Sequence, residues 1–359
     1  MLTTEIAVIG GGPAGMNSSL AAAEQGAEVT LLDRNWELGG QLVKQTHKFF
    51  GSENQYAGER GIDIAKILAE KVQTNNRISV RNNSDVLGIY HDGVLTFKQG
   101  DKYKKLSSRQ TIVATGAAEK FLPFINNDLP GVYGAGAVQT LMNQQGVLPG
   151  KRVLIIGGGN IGLIVAYQLL QAGVSVEAII EALPQVGGYQ VHKEKIERMG
   201  VPILTSHTIK KAYGEESVEG AIIGKINPSW EIIEGTERDL EVDVICLAVG
   251  LSPLVDLLYP LGVELTYVPN LGGFVPKRNE YLETTISGYF VAGDCSGVEE
   301  ASSAMMEGKI AGLSAANGIS YSKKFKEKVK ESKEELKKLR AGEVAREVRA
   351  GLKEVSISK

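Results

Sequence analysis

Hydrophobic positions follow the same order twice along the chain. An apolar run at residues 6–9 leads into glycines, then into a longer run of small and apolar residues, and then into a second apolar run that ends at Asp33. The order recurs, at an offset of 147 to 148 residues, from residues 153–156 to Glu181. Short apolar runs of this kind predict buried parallel strands, and the longer run between them predicts a helix. The pattern therefore predicts two strand–helix–strand units.

The glycines that follow each first strand have the spacing GxGxxG. They are Gly10, Gly12, Gly15, Gly157, Gly159 and Gly162. The first glycine of such a motif permits a tight turn, the second lets a pyrophosphate approach the backbone, and the third lets helix and strand pack closely. The acid that ends each second strand, Asp33 or Glu181, is placed to accept hydrogen bonds from a ribose 2′-hydroxyl. One such motif is weak evidence, but two in strand-to-helix context predict two dinucleotide sites.

The rest of the pattern predicts further elements and a domain order. The predicted helices cover residues 16–25, 56–74 and 300–317, and the predicted strands cover residues 78–80, 86–90, 94–97, 110–114, 202–204, 220–226, 244–249, 273–276 and 287–292. Residues 122–130 contain Pro, Asn and Asp and predict a connector between domains. We expect a discontinuous first domain of residues 1–119 and 253–319, an inserted domain of residues 120–252, and a tail of residues 320–359.

The tail differs from the rest of the chain in charge. It carries 13 Lys and Arg against 7 Glu, a net charge of +6, which leaves −9 for residues 1–319. Its apolar residues recur mostly three, four or seven positions apart, which predicts an amphipathic helix that breaks at Gly342 or Gly351. Two interpretations stay open: a partly solvated or frayed tail, or a helix that docks onto a sister subunit or another partner.

Composition narrows the class of protein. The chain has 359 residues, of which 43% are hydrophobic, so two domains can each bury a core. Cys246 and Cys295 show no CxxC and no metal-ligand spacing, so we expect neither a disulfide framework nor a metal site. The first residues lead into a strand without a secretory signal, and glycines interrupt the longest apolar stretch. We therefore expect a cytoplasmic protein without a membrane span or a nucleic-acid partner.

Six motifs resemble those of the thioredoxin reductase-like flavoproteins. In chain order they are Gly10 to Gly15, Gly39-Gly40-Gln41-Leu42, Thr115-Gly116, Gly157 to Gly162, Gly250 to Pro253 and Gly293-Asp294. The resemblance covers residues 5–318. It implies an α/β protein with two Rossmann-like three-layer domains, an FAD domain in two segments and an NAD(H) domain inserted into it, with the charged C-terminal helix in addition.

The resemblance also implies which residues bind the cofactors. Those expected at the FAD adenosine and phosphates are Gly12, Ala14, Gly15, Asp33 and Arg34, and those expected along the flavin are Gly40, Gln41, Leu42 and Thr46. Asp294 is expected at the ribitol or phosphate oxygens, and the first turn of a helix at Ala301, Ser302 and Ala304 at the flavin pyrimidine edge, where reduced flavin gathers negative charge. The further implied contacts are Gly10, Pro13, Gly39, Thr115, Gly116, Gly157, Gly159, Asn160, Ile161, Gly162, Glu181, Gly250 and Gly293.

The chain departs from thioredoxin reductases at one place. Those enzymes carry a redox CxxC before the second fingerprint, whereas residues 133–137 here contain no cysteine. Dithiol exchange needs an attacking and a resolving thiol, so we do not expect it. Residues 131–133 with Gln139, and residues 293–308, are similar to the flavin- or nucleotide-binding subunits of multi-subunit amine, imino-acid and opine dehydrogenases and of cyanide-forming glycine oxidases. Several of those carry a Cys-rich iron–sulfur module where this chain has its charged tail.

Three functional hypotheses follow. The first is an NADH-dependent FAD oxidoreductase that hands electrons to a partner protein, a quinone or another acceptor. The second is an electron-relay subunit of a heteromeric amino- or imino-acid dehydrogenase, and the third is a nucleotide-binding scaffold without turnover. Hydride transfer between the cofactors requires no catalytic side chain, and His47 is either near the flavin or structural. Glu181 would repel a 2′-phosphate, which favours NADH, and a homo- or hetero-oligomer is expected.

Overall fold

The chain divides into two compact units. A computed structural model describes residues 1–49, 52–320, 323–343 and 345–357. Unit one comprises Met1–Ala118 and Leu251–Lys359, and unit two comprises Glu119–Gly250. The boundaries predicted from sequence differ from these by one and two residues. Each unit contains its own parallel sheet and its own hydrophobic core.

The elements of both units are numbered in chain order. The helices are α1 (Pro13–Glu24), α2 (Gly61–Gln73), α3 (Ala135–Asn143), α4 (Asn160–Gln171), α5 (Gln190–Arg198), α6 (Ala301–Asn317), α7 (Phe325–Leu339) and α8 (Arg346–Glu354). The strands are β1 (Leu2–Ile9), β2 (Val29–Leu32), β3 (Ile78–Arg81), β4 (Ser84–Ile89), β5 (Val94–Gln99), β6 (Lys102–Val113), β7 (Ala117–Glu119), β8 (Val132–Gly134), β9 (Arg152–Ile156), β10 (Ser175–Glu181), β11 (Ile203–Thr205), β12 (His207–Tyr213), β13 (Gly220–Lys225), β14 (Arg238–Leu240), β15 (Val244–Leu247), β16 (Leu251–Pro253), β17 (Leu265–Val268), β18 (Gly273–Pro276) and β19 (Tyr289–Val291).

The main sheet of unit one gathers four strand ends at one edge. Its strand order is β3-β2-β1-β6-β5-β4, and β19 also pairs with β6. Strands β3, β2, β1, β6 and β19 are parallel, whereas β4, β5 and β6 are antiparallel. Ile9, Leu32, Val113 and Val291 are register neighbours at the ends of their strands. The segments that follow these residues therefore meet at the same edge.

Helices α1 and α6 pack closely beside this sheet. A Cβ at Gly308 would lie 2.1 Å from the carbonyl oxygen of Ala14, and a Cβ at Gly312 would lie 2.2 Å from that of Ser18. Because no side chain fits at either position, the two helix backbones approach each other directly. Both helices are rich in buried small residues, which allows this contact.

Unit two repeats the strand-end arrangement. Its parallel sheet has the order β11-β10-β9-β15-β8, and a separate antiparallel sheet has the order β12-β13-β14. Ile156 pairs with Ile180 on one side and with Leu247 on the other. Gly157, Glu181 and Ala248 follow these residues and lie at the same edge of the unit-two sheet.

Some predicted elements need correction. The strands predicted at residues 78–80, 86–90 and 94–97 are hairpin-like in sequence, but β3 pairs in parallel with β2, and only β4 and β5 form a hairpin. Strand β6 begins at Lys102 instead of residue 110, because its polar first half pairs with β5. The helix predicted over residues 56–74 begins at Gly61. Helices α3 and α5 and strands β7, β8, β12, β14, β16 and β17 were not predicted.

The tail packs on its own chain through one side of its helices and is partly solvated on the other, as one interpretation had it. Docking of the tail onto a sister subunit or another partner stays a prediction. Helix α7 buries Val329 and Leu336 in the core that α1 and α6 share, and α8 packs against a small cluster around Leu271. The break between α7 and α8 includes Gly342, as one prediction had it. Gly351 instead lies inside α8, where a Cβ would come 2.9 Å from side-chain carbons of Leu271 and Val268. Val344, which belongs to the predicted apolar stripe, lies outside the described residues.

The described residues hold neither a membrane-spanning helix nor a metal cluster. No helix among them is long and apolar enough to cross a membrane. No group of three His, Cys, Asp or Glu side chains in these ranges is arranged to hold a metal ion. Cys246 in unit two and Cys295 in unit one are both buried free thiols.

Candidate dinucleotide-binding sites

The first candidate site lies where β1 meets α1, at the edge of the unit-one sheet. Gly10 has φ +104°, and a Cβ there would lie 2.3 Å from the carbonyl oxygen of Ala114. A Cβ at Gly15 would lie 1.7 Å from the carbonyl oxygen of Gly10. These two glycines are therefore required by the backbone conformation and by close packing of strand and helix.

Gly12 has neither of these reasons to be glycine. It is the N-cap of α1 with φ −78° and ψ −172°, an extended conformation that any residue adopts. A Cβ there would meet only the Cα of Gly40, at 3.8 Å. The space in front of Gly12 therefore stays open on the side where a ligand can approach the backbone.

The start of α1 offers hydrogen-bond donors to that space. The first hydrogen bond of the helix runs from the amide of Met16 to the carbonyl of Gly12. The amides of Ala14 and Gly15 come before it and therefore have no acceptor within the helix. Pro13 at the first helical position has no amide hydrogen, and no acidic residue lies in the first turn. Unpaired amides and the positive end of the helix dipole together favour a bound anion such as a phosphate.

The acid that follows β2 braces the glycine loop. The carboxylate of Asp33, which is 5% exposed, accepts hydrogen bonds from the amide of Gly11 and, at 2.7 Å, from the amide of Asn35. A carboxylate has about four acceptor positions, so two backbone bonds leave capacity for a ribose hydroxyl. The predicted role is compatible with this second, structural one, which sequence reasoning missed.

A glycine turn closes the first site from the side. The amide of Gly39 donates to the carbonyl of Gly11 at 2.8 Å, and a Cβ at Gly40 would lie 2.7 Å from the Cα of Gly12. A short 3₁₀ turn, Gly40–Lys44, follows with Leu42 fully buried. The turn thus lies against the fingerprint loop. Arg34 and Gln41 are exposed.

The last part of the first site comes from the segment after β19. Gly293 has φ +75°, and a Cβ there would lie 2.8 Å from the Cβ of Ala14 and 3.5 Å from that of Ala304. Gly293 therefore brings the first turns of α1 and α6 together. Helix α6 begins after Glu300 without a side-chain cap and without an acid in its first turn, so its amides stay available to a negatively charged group.

Asp294 follows Gly293 and carries an unusual carboxyl. One of its oxygens accepts a hydrogen bond from the amide of Glu299 at 3.3 Å. Although the residue is partly exposed, burial of the carboxyl and the nearby charges of Glu307 and Glu299 together raise its pKa to about 7, against the opposing hydrogen bond from the Glu299 amide. Asp294 therefore changes charge near neutral pH.

The remaining residues that were predicted at the first site make contacts outside the glycine loop. Thr115 follows β6 and donates its hydroxyl to the carbonyl of Leu254 at 2.7 Å. Gly116 has φ +77°, and no described atom beyond its chain neighbours lies within 4 Å of a Cβ there. The carbonyl of Thr46 accepts a hydrogen bond from the guanidinium of Arg60 at 2.6 Å. His47 stacks on Phe49, with ring centroids 5.7 Å apart.

The second candidate site repeats the geometry of the first. Gly157 has φ +112°, and a Cβ there would lie 2.3 Å from the carbonyl oxygen of Ala248. A Cβ at Gly162 would lie 2.0 Å from the carbonyl oxygen of Gly157. Gly159, the N-cap of α4, has φ −73° and ψ 177°, and no described atom lies within 4 Å of a Cβ there. The second glycine of this motif also faces open space.

The acid of the second site braces its loop in the same way. Glu181 accepts hydrogen bonds from the amides of Gly158 at 2.8 Å and Leu183 at 2.9 Å. The side chain of Asn160 accepts the amide of Tyr189 at 2.7 Å, which ties the following loop to the start of α4. Ile161 is 40% exposed at this helix start, and Gly250 ends the unit with φ +110°.

A carboxylate lies at the stretch where thioredoxin reductases would carry their redox CxxC. Residues 133–137 form the end of β8 and the start of α3, and the amide of Gly136 donates to Glu119 at 2.6 Å. The helix N-terminus is thus satisfied by a side chain that sequence reasoning missed. Burial raises the pKa of the Cys246 thiol above its usual range and that of Cys295 to about 11. Both thiols are therefore poor nucleophiles at neutral pH.

Comparisons with known proteins agree with this geometry. The family described as pyridine nucleotide-disulphide oxidoreductase matches residues 4–308. One of the opine oxidase subunits of Agrobacterium tumefaciens is 27% identical over 87% of this chain and 65% of its own length. The HcnB subunit of hydrogen cyanide synthase from Pseudomonas protegens is 26% identical over 86% and 69%, and the alpha subunit of sarcosine oxidase from a Corynebacterium is 26% identical over 89% and 33%. The chain thus spans about two thirds, or less, of these relatives.

Solved structures show the fold. T. acidophilum thioredoxin reductase superposes with a TM-score of 0.73 at 23% identity, over 89% of this chain and 99% of that one. L-proline dehydrogenase from P. horikoshii superposes with a TM-score of 0.71 at 23% identity, over 93% of this chain and 59% of that one. These comparisons confirm the predicted α/β class with Rossmann-like layers and the resemblance to thioredoxin reductase-like proteins.

Proposed function

The chain belongs to the pyridine nucleotide-disulphide oxidoreductase family, and from this premise we propose that it takes hydride from NADH onto FAD and passes the electrons to a partner subunit. The family uses FAD and NAD(P)H, and the chain is accordingly an FAD-dependent oxidoreductase. FAD in unit one, NADH as the donor in unit two, and the partner are the parts that we propose.

The observation that carries the proposal is the open space at two glycines. Gly12 and Gly159 are helix N-caps whose backbone conformation any residue adopts and whose side-chain position is unoccupied by protein. Glycine at such a place is explained by a ligand whose pyrophosphate lies against the backbone. The residues of both loops therefore fit the dinucleotides that the family uses.

The residues of unit one have separate tasks in this proposal. The first-turn amides of α1 bind the pyrophosphate, Asp33 holds the adenosine ribose, and Asp294 accepts a hydroxyl of the ribityl chain. The first-turn amides of α6 stabilise negative charge at the pyrimidine edge, which such a helix end does by about 0.3 to 1 kcal/mol at an exposed site. In unit two, the amides that begin α4 bind the second pyrophosphate and Glu181 the ribose. The cofactors supply the hydride chemistry.

Anaerobic titration of the purified chain with NADH tests the proposal. We expect a yellow protein whose flavin absorbance near the visible maximum is lost on addition of one equivalent of NADH per flavin. A yellow protein that NADH does not bleach favours a relay subunit that receives electrons from elsewhere. A colourless protein that cannot be reconstituted with FAD contradicts the proposal and favours a nucleotide-binding scaffold.

The choice between NADH and NADPH depends on Glu181. Its carboxylate repels a 2′-phosphate, and residues 182–188 contain no Arg or Lys to bind one. We expect kcat/KM for flavin reduction to be at least about tenfold higher with NADH, which corresponds to about 1.4 kcal/mol. Stopped-flow reduction with each nucleotide measures the ratio. A tenfold preference for NADPH would contradict the assignment.

The raised pKa of Asp294 predicts a pH-dependent affinity for FAD. When the carboxyl of Asp294 is ionised, both of its oxygens can accept hydrogen bonds from hydroxyl groups, whereas the protonated form has lost part of this capacity. Without FAD, the pKa of this carboxyl is about 7. FAD affinity should therefore fall as pH drops through 7, by roughly tenfold between pH 8 and pH 6, because only about a tenth of the carboxyls are ionised one unit below the pKa.

Equilibrium titrations of the apoprotein with FAD across this pH range measure the effect. Asp294→Asn should bind FAD more weakly and without this pH dependence, because its side chain carries no charge at any of these pH values. If Asp294→Asn keeps the wild-type slope, another group is responsible. The same carboxyl also affects the stability of the apoprotein. Because folding raises its pKa, the folded state favours the protonated carboxyl. Asp294 therefore stabilises the fold at low pH, and this contribution is lost as pH rises through about 7.

A relay subunit of a heteromeric amine- or amino-acid-oxidising enzyme is the second candidate. It is favoured by the names of the relatives, which are subunits of opine oxidase, hydrogen cyanide synthase and sarcosine oxidase. Pull-down of native partners with the tagged chain, followed by assay of the complex for amine-dependent flavin reduction, separates this candidate from an oxidoreductase that acts with NADH alone.

A further inference from the structure

Glu307 on α6 holds the loop after β19 from beneath. Its side chain is 2% exposed. One of its oxygens accepts hydrogen bonds from the amide of Gly293 at 2.9 Å and from the hydroxyl of Ser296 at 2.7 Å. The beginning and the end of the short turn that carries Asp294 are therefore fixed by one carboxylate.

Glu299 holds the far end of the same loop. Its amide donates to the carboxyl of Asp294, and its own carboxylate pairs with a guanidinium from the tail. The Glu299 side chain is 8% exposed. Two nearly buried carboxylates thus lie under the loop, which is costly unless cations compensate them.

Arg340, from the tail, supplies most of that compensation. At the end of α7 it donates from Nε to Glu299 at 2.8 Å, from Nη2 to the other Glu299 oxygen, and from Nη2 to Glu307 at 2.6 Å. A second cation, Arg278, lies 3.7 Å from Glu307. Although burial opposes it, Arg340 and Arg278 together hold the pKa of Glu307 below its usual range. Burial raises the pKa of Glu299 in spite of its pair with Arg340. Both carboxylates therefore depend on Arg340 as their compensating cation under the loop.

We propose that Arg340 is a positioning residue for flavin binding, which acts through Glu299 and Glu307 to hold Gly293 and Asp294 in place. The inference rests on the proposed function, since it assumes that this loop binds FAD. Arg340 lies outside residues 4–308 that match the family, so the tail adds a support of its own to the site. The charged tail is then part of the flavin site, although none of its residues needs to touch the cofactor.

The test compares Arg340→Met with Arg346→Met. Arg346 lies in the same tail, but its side chain is 70% exposed and its nearest carboxylates are 4.0 Å away. We expect Arg340→Met to raise the dissociation constant for FAD at least about tenfold, because removing one partner of a buried pair leaves uncompensated charge. Arg346→Met should stay within about twofold of wild type, as exposed pairs contribute little. Fluorescence titration of the apoproteins, at a temperature where all are folded, measures both.

Two further measurements separate positioning from general stability. Hydrogen–deuterium exchange of the apoproteins should increase in residues 293–300 of Arg340→Met, with exchange in unit two unchanged. Arg340→Lys should recover part of the affinity, because an ammonium keeps the charge but lacks the guanidinium fork. If Arg340→Met does not fold, Arg340→Lys and the double variant Arg340→Met with Glu299→Gln, which removes one uncompensated carboxylate, provide the same comparison.

The outcomes are distinct. Equal FAD affinity of wild type and the Arg340 variants, with unchanged exchange in residues 293–300, overturns this inference and leaves the proposed function intact. Wild-type protein that cannot take up FAD overturns the proposed function itself, whatever the exchange data show. Weaker binding by the Arg340 variants alone, with partial recovery by lysine, supports the positioning role.

Discussion

Gly12→Val is expected to give a folded protein that no longer holds flavin. Valine adopts the extended backbone conformation of Gly12, and its Cβ would have only the Cα of Gly40 nearby, at 3.8 Å. Its methyl groups would instead fill the space in which the pyrophosphate meets the first-turn amides. Flavin content after purification should fall at least about tenfold, the equivalent of about 1.4 kcal/mol of lost binding free energy.

Gly15→Ala is the matched control, because it alters the same loop for a different reason. Its Cβ would lie 1.7 Å from the carbonyl oxygen of Gly10, so strand and helix must separate. Overpacking of this kind typically costs about 1 to 3 kcal/mol. The melting temperature of the apoprotein should therefore fall for Gly15→Ala and change little for Gly12→Val. A Gly12→Val protein that purifies with wild-type flavin content would show that no dinucleotide lies against this backbone.

The two fingerprints could be predicted because their constraints are local. The positive φ of Gly10 and the close approach at Gly15 arise within six residues of each other, so the residue types alone record them. The buried parallel strands β1 and β2 could also be predicted, because consecutive apolar residues in them are buried. The open space at Gly12 and Gly159 needed the structure, since a glycine that packing requires and one that a ligand requires look alike in a sequence.

The limits of the sequence are clearest where distant segments meet. Glu299 and Glu307 have the pattern of ordinary solvated acids, but both are nearly buried and pair with Arg340, which returns from the end of α7. The stripe of Val329 and Leu336 indicated an amphipathic helix but not the surface that it covers, which belongs to the same chain. Strand β6 shows the same limit, because the polar residues after Lys102 become strand through pairing with β5. The local pattern of apolar and polar residues does not predict such contacts with distant segments.

Asp33 and Glu181, which are predicted to bind ribose, were placed correctly by the sequence, but their contacts with the glycine loops were missed. The sequence placed Asp33 and Glu181 at the ends of the second strands, and the structure has each of them there. Each also accepts an amide of its own glycine loop, from Gly11 or Gly158. These acids therefore shape the loops before any ligand binds, and replacing either one would alter the loop as well as the proposed ribose contact. Glycine variants are for this reason the sharper probes of the two sites.

Gly159→Val is expected to give a yellow protein that NADH no longer bleaches. No described atom lies within 4 Å of a Cβ at Gly159, and its φ of −73° suits any residue, so the fold of unit two should be unchanged. Unit one has its own core, and its flavin content and spectrum should equal those of wild type. The rate of anaerobic flavin reduction by NADH, measured by stopped flow, should fall at least about a hundredfold, as expected when roughly 2.7 kcal/mol of binding free energy is lost.

Dithionite should still reduce the flavin of Gly159→Val, which shows that the bound flavin can still accept electrons. The variant thus keeps flavin in unit one while valine blocks the glycine loop of unit two. Unchanged reduction by NADH would mean that NADH binds elsewhere. Loss of this reduction would assign the second glycine loop to the nicotinamide dinucleotide.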